Sequence, residues 1–142
     1  MLQPKYLTVL LCFLLKYIAF FVLLGFMHHR FKTLVIDDAE NCRELLTNAM
    51  YYVEAILFTM FFFFLPVFPG LTYFIFKISN PFIFLFLVTL MFFTEYLFYT
   101  YLASSSNYIN GLYNVVSSVL FLSLFFHKEI IEKYRHRTHY FS

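Results

Sequence analysis

Four apolar stretches separated by shorter polar breaks run the length of the chain. Tyr6 to Met27 supplies 22 residues interrupted only by Lys16. An α-helix needs about 20 apolar residues to cross the hydrocarbon of a bilayer, so this run predicts a first spanning helix. It is too long, and lacks the small-x-small exit, for a cleaved signal peptide. His28 to Glu44 is the long polar stretch, with Arg30, Lys32, Asp37, Asp38, Glu40, Arg43 and Glu44 mixing both signs. It belongs in water, and Asp37 or Asp38 is placed to cap the next helix.

Proline and glycine divide the remainder of the chain. Leu45 to Phe68 predicts a second helix, ended by Pro66, Pro69 and Gly70. Leu71 to Asn80 reads as an apolar connector lying in the interface, and Pro81 suits the first turn of a third helix that reaches Leu102. Ala103 to Asn110 (ASSSNYIN) reads as a turn. Gly111 to Phe126 is short for a span unless it starts near Tyr108. The expected architecture is one all-α polytopic domain, 1-142, with three to four transmembrane helices at about 6-27, 45-68, 81-102 and 108-126. A basic, amphipathic tail, 127-142, completes the chain.

Composition sharpens this picture. The chain is 62% hydrophobic and 13% charged, whereas a soluble domain carries about 25% charge and about 45–50% apolar residues. Its 23 Phe and 12 Tyr need burial in protein or lipid, which excludes disorder. Two cysteines, one in an apolar run and one in the polar loop, exclude a disulfide scaffold. A net charge of +2 is too small to imply nucleic acid. Residues with AT-rich codons (Phe, Tyr, Met, Ile, Asn, Lys) outnumber those with GC-rich codons (Gly, Ala, Arg, Pro) by nearly four to one. That points to an AT-rich genome such as a protist mitochondrial one, a trait shared with AT-rich bacteria and phages. The expected location is the mitochondrial inner membrane, with a bacterial inner membrane as the alternative.

Lysine and arginine at the helix ends set the expected orientation. Lys5, Lys77, Lys128, Lys133, Arg135 and Arg137 fall on one side and Arg30, Lys32 and Arg43 on the other. With four helices both termini then face the cytoplasm or matrix.

Three charged side chains sit inside the predicted spans: Lys16, Glu54 and Glu95. Each costs about 2.5–3.5 kcal/mol at the centre of a bilayer on insertion scales. At 1.5 Å per residue, Lys16 lies roughly 16 Å, Glu54 roughly 21 Å and Glu95 roughly 22 Å from the same face, so all three share one level. Burial in low dielectric favours the neutral form of a carboxyl group, and a neighbouring lysine favours the charged form. Two Glu and one Lys at one depth are the minimum parts of an intramembrane proton relay. The alternative is that they hydrogen-bond between helices and fix packing.

Other candidates are weaker. His28 and His29 are neighbours that point about 100° apart on a helix and cannot both face one metal. His136 and His139 read as part of a solvated tail. Every histidine lies at or beyond a predicted helix end, so haem between helices is not expected. Asn107, Asn110, Asn114 and Ser117 fall on one helical face, either lining a hydrated path or packing between helices. No nucleophile–base pair, phosphate loop or metal-ligand spacing is present, so no autonomous active site, cofactor or metal is expected.

Two helices with one central Glu each and little else polar resemble NADH dehydrogenase subunit 4L, the K subunit of respiratory complex I. The residues carrying the resemblance are Tyr-Val-Glu-Ala-Ile-Leu-Phe at Tyr52 to Phe58, Asn80-Pro81 opening a helix with Glu95 fifteen residues after Asn80, and the basic Arg30 and Lys32 after the first helix. The resemblance covers roughly residues 6 to 102. Phe92, Phe93 and Thr94 stand where the family has small residues, and the fourth segment and basic tail have no counterpart in it. The resemblance implies a subunit of a large complex in which Glu54 and Glu95 are carboxylates of coupled proton translocation, with no bound cofactor. It assigns no role to Lys16, which joins them in the proton relay on its depth alone. Its partners would be other membrane subunits and lipid. The competing readings are a structural subunit of cytochrome oxidase or ATP synthase, and a small homo-oligomeric pore.

Overall fold

The computed structural model describes residues 4–27, 31–103 and 107–138. The chain is an all-α polytopic membrane protein: among the described residues there is no strand, and four helices are long and apolar enough to cross a bilayer. Helix α1 (Tyr6–Met27) crosses first, over the predicted range. After a short π-helical turn (Lys32–Ile36), α2 (Cys42–Thr59) returns and ends in a π turn, Met60–Phe64. A short helix α3 (Phe68–Phe76) lies beside the start of α1, where Tyr6 and Tyr73 meet edge to face at 5.5 Å. Helix α4 (Pro81–Phe98) crosses again and widens into a π turn, Tyr99–Ala103. Helix α5 (Tyr108–Thr138) runs back to the starting side.

Several boundaries differ from the sequence expectation, each for a local reason. α2 starts at Cys42, three residues before the predicted Leu45, because Asn41 and neither aspartate caps it. The Asn41 side chain accepts from the backbone N–H of Arg43 and Glu44 at 3.1 and 3.0 Å, and Glu44 reaches back to the Glu40 N–H at 2.9 Å. This is a capping box displaced by one residue, since Glu44 takes the N–H before the cap rather than that of Asn41 itself. α2 stops before the predicted Phe68, because the ring of Pro66 cannot continue the hydrogen-bond ladder. The helix widens there, with Leu65 N–H donating to Met60 five residues back at 2.9 Å.

The predicted connector 71-80 is largely helical, since Pro69 sits in the first turn of α3, a position that suits a residue lacking an N–H. Asn80 caps α4, accepting from Phe82 and Ile83 N–H, with Pro81 as the first helical residue. Asn107 does the same for α5 by accepting from Asn110 N–H at 3.1 Å, so the fourth span starts at Tyr108.

The predicted tail 127-142 is, through Thr138, a continuation of α5 past a bend at Phe126 (φ −122°, ψ 23°). The bend brings Lys133 over the α3–α4 junction. There its ammonium donates to the carbonyls of Phe76, at 2.7 Å, and Ile78. A cation near the end of a helix satisfies carbonyls that the helix itself leaves over.

α1, α3, α4 and α5 share one core, in which Val9, Phe13, Tyr17, Phe64, Phe68, Phe76, Phe84, Met91, Tyr99 and Phe126 are buried. α2 lies at the edge, and none of its residues 42–59 is buried. The termini of the bundle and the 65–80 segment lie on one side, and the 31–41 segment with residues 103 and 107 on the other.

Candidate functional site

α1 presents two adjacent stripes to the bundle, Val9–Cys12–Lys16 and Phe13–Tyr17–Phe20–Leu24, all buried. This double seam points both Lys16 and Tyr17 inward. α4 presents Met91, Glu95 and Tyr99 at four-residue spacing. α5 presents Asn110, Asn114, Ser118 and Leu122 at the same spacing. The three helices therefore meet at one level through Lys16, Glu95 and Ser118.

Lys16 and Glu95 form an ion pair, Nζ to Oε1 at 2.6 Å, with side chains 1% and 0% exposed. Tyr17 donates its hydroxyl to the same oxygen at 2.6 Å, and Ser118 donates to Oε2 at 2.6 Å. The Lys16 ammonium also donates to Asn114 Oδ1 at 2.5 Å and stands 3.7 Å from the centre of the Tyr17 ring. Both carboxylate oxygens are thus engaged, and the cation has a carboxylate, an amide oxygen and a π face. Such saturation is what a charge pair needs to persist away from water. Aromatic rings close around the pair: Phe64 packs on Tyr17 at 4.8 Å, and Tyr99 on Phe20 at 5.1 Å.

Of the three residues singled out from sequence, the structure joins Lys16 and Glu95 and leaves Glu54 apart. Glu54 is exposed on the outer surface of α2, beside Val53 and Leu57. The rotation of α2 turns it out of the bundle. Sequence reasoning missed Tyr17 and Ser118. It assigned Ser117 to the polar stripe, whereas Ser117 is only partly buried and the stripe runs Asn110, Asn114, Ser118. Its continuation in steps of four from Asn110 was the available signal. The stripe faces into a single copy of the chain. His28, His29, Arg30 and His139 lie outside the described residues, as does the side chain of His136.

Among the described residues no three His, Cys, Asp or Glu side chains gather in a way that would hold a metal ion. Two apolar crevices, of about 150 Å³ between α3, α4 and α5 and about 220 Å³ between α1 and α2, carry no charged side chain. The site is one buried Lys–Glu pair with two hydroxyls and an amide oxygen set around it. These features define an all-α polytopic membrane protein with a buried ion pair inside the bilayer. No protein family, curated protein or solved structure matches the chain.

Proposed function

We propose that this chain is a proton-handling subunit of a larger membrane complex, and that the complex is of the complex I type. The observation that carries the proton reading is the Lys16–Glu95 pair, fully buried inside the spans and held by Tyr17, Asn114 and Ser118. Intramembrane ionisable groups are costly and are characteristically placed on ion or proton paths. Uptake of one proton by Glu95 turns its carboxylate into a carboxyl group and leaves the Lys16 charge uncompensated. Release of that proton restores the neutral pair. A change of one charge in low dielectric is a strong signal to neighbouring subunits.

Membership of a larger assembly is supported by Glu54. A carboxylate on the lipid-facing side of a spanning helix costs about 2.5–3.5 kcal/mol on insertion scales, and a neighbouring subunit would remove that exposure. The choice of complex I rests on the resemblance at Tyr52–Phe58 and at Asn80–Pro81 with Glu95. The mitochondrial inner membrane, or a bacterial inner membrane, follows from that choice.

One observation favours a second reading. Both oxygens of Glu95 are already hydrogen-bonded, which suits a fixed clasp in a structural subunit of another respiratory complex. The inward-facing stripe, in contrast, offers no lining for a pore between copies.

Native electrophoresis of source membranes, with mass spectrometry locating this chain, tests the assignment. Co-migration with NADH dehydrogenase activity is expected, together with loss of proton pumping and retained electron transfer in Glu95→Gln. Migration with cytochrome oxidase or ATP synthase would support the clasp. Pumping preserved in the Glu54→Gln/Glu95→Gln double variant would overturn the relay.

A further inference from the structure

The two halves of the bundle differ in polarity on either side of the ion pair. Toward the face of residues 31–41, α5 stacks Asn114 and Asn110, both 0% exposed, above the half-buried Asn107 that caps the helix. Thr100, also 0% exposed, joins them from the π turn of α4. That wide turn lets Tyr99 and Thr100 both face inward, and Gly111 lets α5 approach them: a Cβ there would meet the Tyr96 ring at 2.9 Å and the Thr100 side chain. From Ser118 to Asn107 the polar positions cover about 16 Å of helix, roughly half the hydrocarbon thickness. Asn114 turns its oxygen to Lys16, and its Nδ2 donor is buried with no acceptor among the described residues. A buried donor of this kind invites a transient water.

Toward the other face the next turns are Phe13 on α1, Met91 on α4 and Leu122 on α5. Beyond them Phe76 packs on Phe84 at 5.4 Å and on Phe126 at 5.1 Å. The Thr72 hydroxyl in that half is turned onto the Met91 sulfur at 3.0 Å. The crevice of about 150 Å³ in this half is lined mainly by apolar side chains, with Thr72, Ser123 and Tyr134 as its polar members. The Lys133 ammonium there is taken up by the carbonyls of Phe76 and Ile78, and the Phe13–Met91–Leu122 layer stands between these groups and the ion pair.

We propose that the Lys16–Glu95 pair communicates with one membrane face only, the face of residues 31–41 and of Asn107. The route is the Asn114–Asn110–Thr100 column, and the Phe13–Met91–Leu122 layer with the rings behind it seals the opposite side. The inference rests on the proton-handling reading and gives it a direction. Protons enter and leave the pair from that one face.

Silver ions, small and thiol-reactive, test this in sealed membrane vesicles of both orientations containing the assembled protein. The native Cys42, exposed at the start of α2 on the proposed open face, marks orientation. Cys12, buried one turn from Lys16 in the sealed half, reports the opposite route in the Cys42→Ser variant. Asn110→Cys, with Thr100→Cys as the second variant should the first fail to fold, reports the column in a Cys12→Ser/Cys42→Ser background. The thiol at position 110 or 100 should react from the Cys42 face faster by about tenfold or more, given the cost of taking an ion through the apolar layer. Cys12 should resist silver from both faces on that timescale. Equal rates from the two faces, preferential reaction of Cys12 from the opposite face, or no reaction in the column from either side would overturn the proposal. Silver access reports the route and not proton uptake. One-sided access around a pair that never changes protonation would therefore uphold this inference and sink the proton reading.

Discussion

Glu95 sits where α1, α4 and α5 converge, and its two oxygens take the Lys16 ammonium and the Tyr17 and Ser118 hydroxyls. Removing one partner of such a pair leaves the other charge buried alone, at a cost of about 3–5 kcal/mol, whereas replacing both with apolar groups is often neutral. Lys16→Met should therefore destabilise the protein strongly, and Lys16→Met/Glu95→Leu should recover most of the loss. Thermal unfolding in detergent checks this, and additive losses in the double variant would mean that the two side chains do not act as a pair. Depth arithmetic made Lys16 and Glu95 legible in the sequence, since each lies near the middle of an apolar run. The same arithmetic could not separate them from Glu54. In a membrane helix the outward face is apolar too, so the amphipathic pattern that fixes rotation in soluble helices is weak.

At the scale of the element, two contacts fix how α5 lies in the bundle. Gly111 lets it approach α4 so closely that an added Cβ would strike Tyr96 and Thr100. Gly111→Ala should destabilise by about 1–3 kcal/mol through overpacking, whereas Gly70→Ala should not clash, because nothing lies within 4 Å of the added carbon. Unfolding midpoints of the two variants make the comparison, and equal losses would contradict the close approach. Lys133 provides the second contact, tying the helix beyond Phe126 to the carbonyls of Phe76 and Ile78. Lys133→Met should free that end, read as faster amide exchange at residues 127–135 with residues 108–120 unchanged. The sequence marked these residues as a basic tail because their charges exclude them from lipid. Nothing local announced that Lys133 would find carbonyls 55 and 57 positions away. The start of α2 was more legible: Asn41 and Glu44 carry the spacing of a capping box, but the polarity of residues 42–44 made them look like loop.

For the molecule as a whole, four crossings place residues 4–5, 65–80 and the end of α5 on one side. The start of α2 lies on the other. An impermeant maleimide should label Lys5→Cys and Lys128→Cys (each in a Cys42→Ser background) from the same face, and native Cys42 from the opposite one. Labelling of residues 5 and 128 from different faces would mean three crossings. Four apolar stretches and their prolines made this topology readable. The peripheral position of α2 was not readable, because its composition matches that of the central helices.

The proton-handling reading requires the Lys16–Glu95 pair to change protonation. Infrared titration of the purified protein tests it most directly, with the carboxyl C=O band of Glu95 identified by its absence in Glu95→Gln. This band should appear and disappear reversibly within the pH range over which the protein stays folded. Lys16→Met should shift the transition. A Glu95 side chain that remains ionised throughout that range would contradict the account and leave the pair as a fixed clasp.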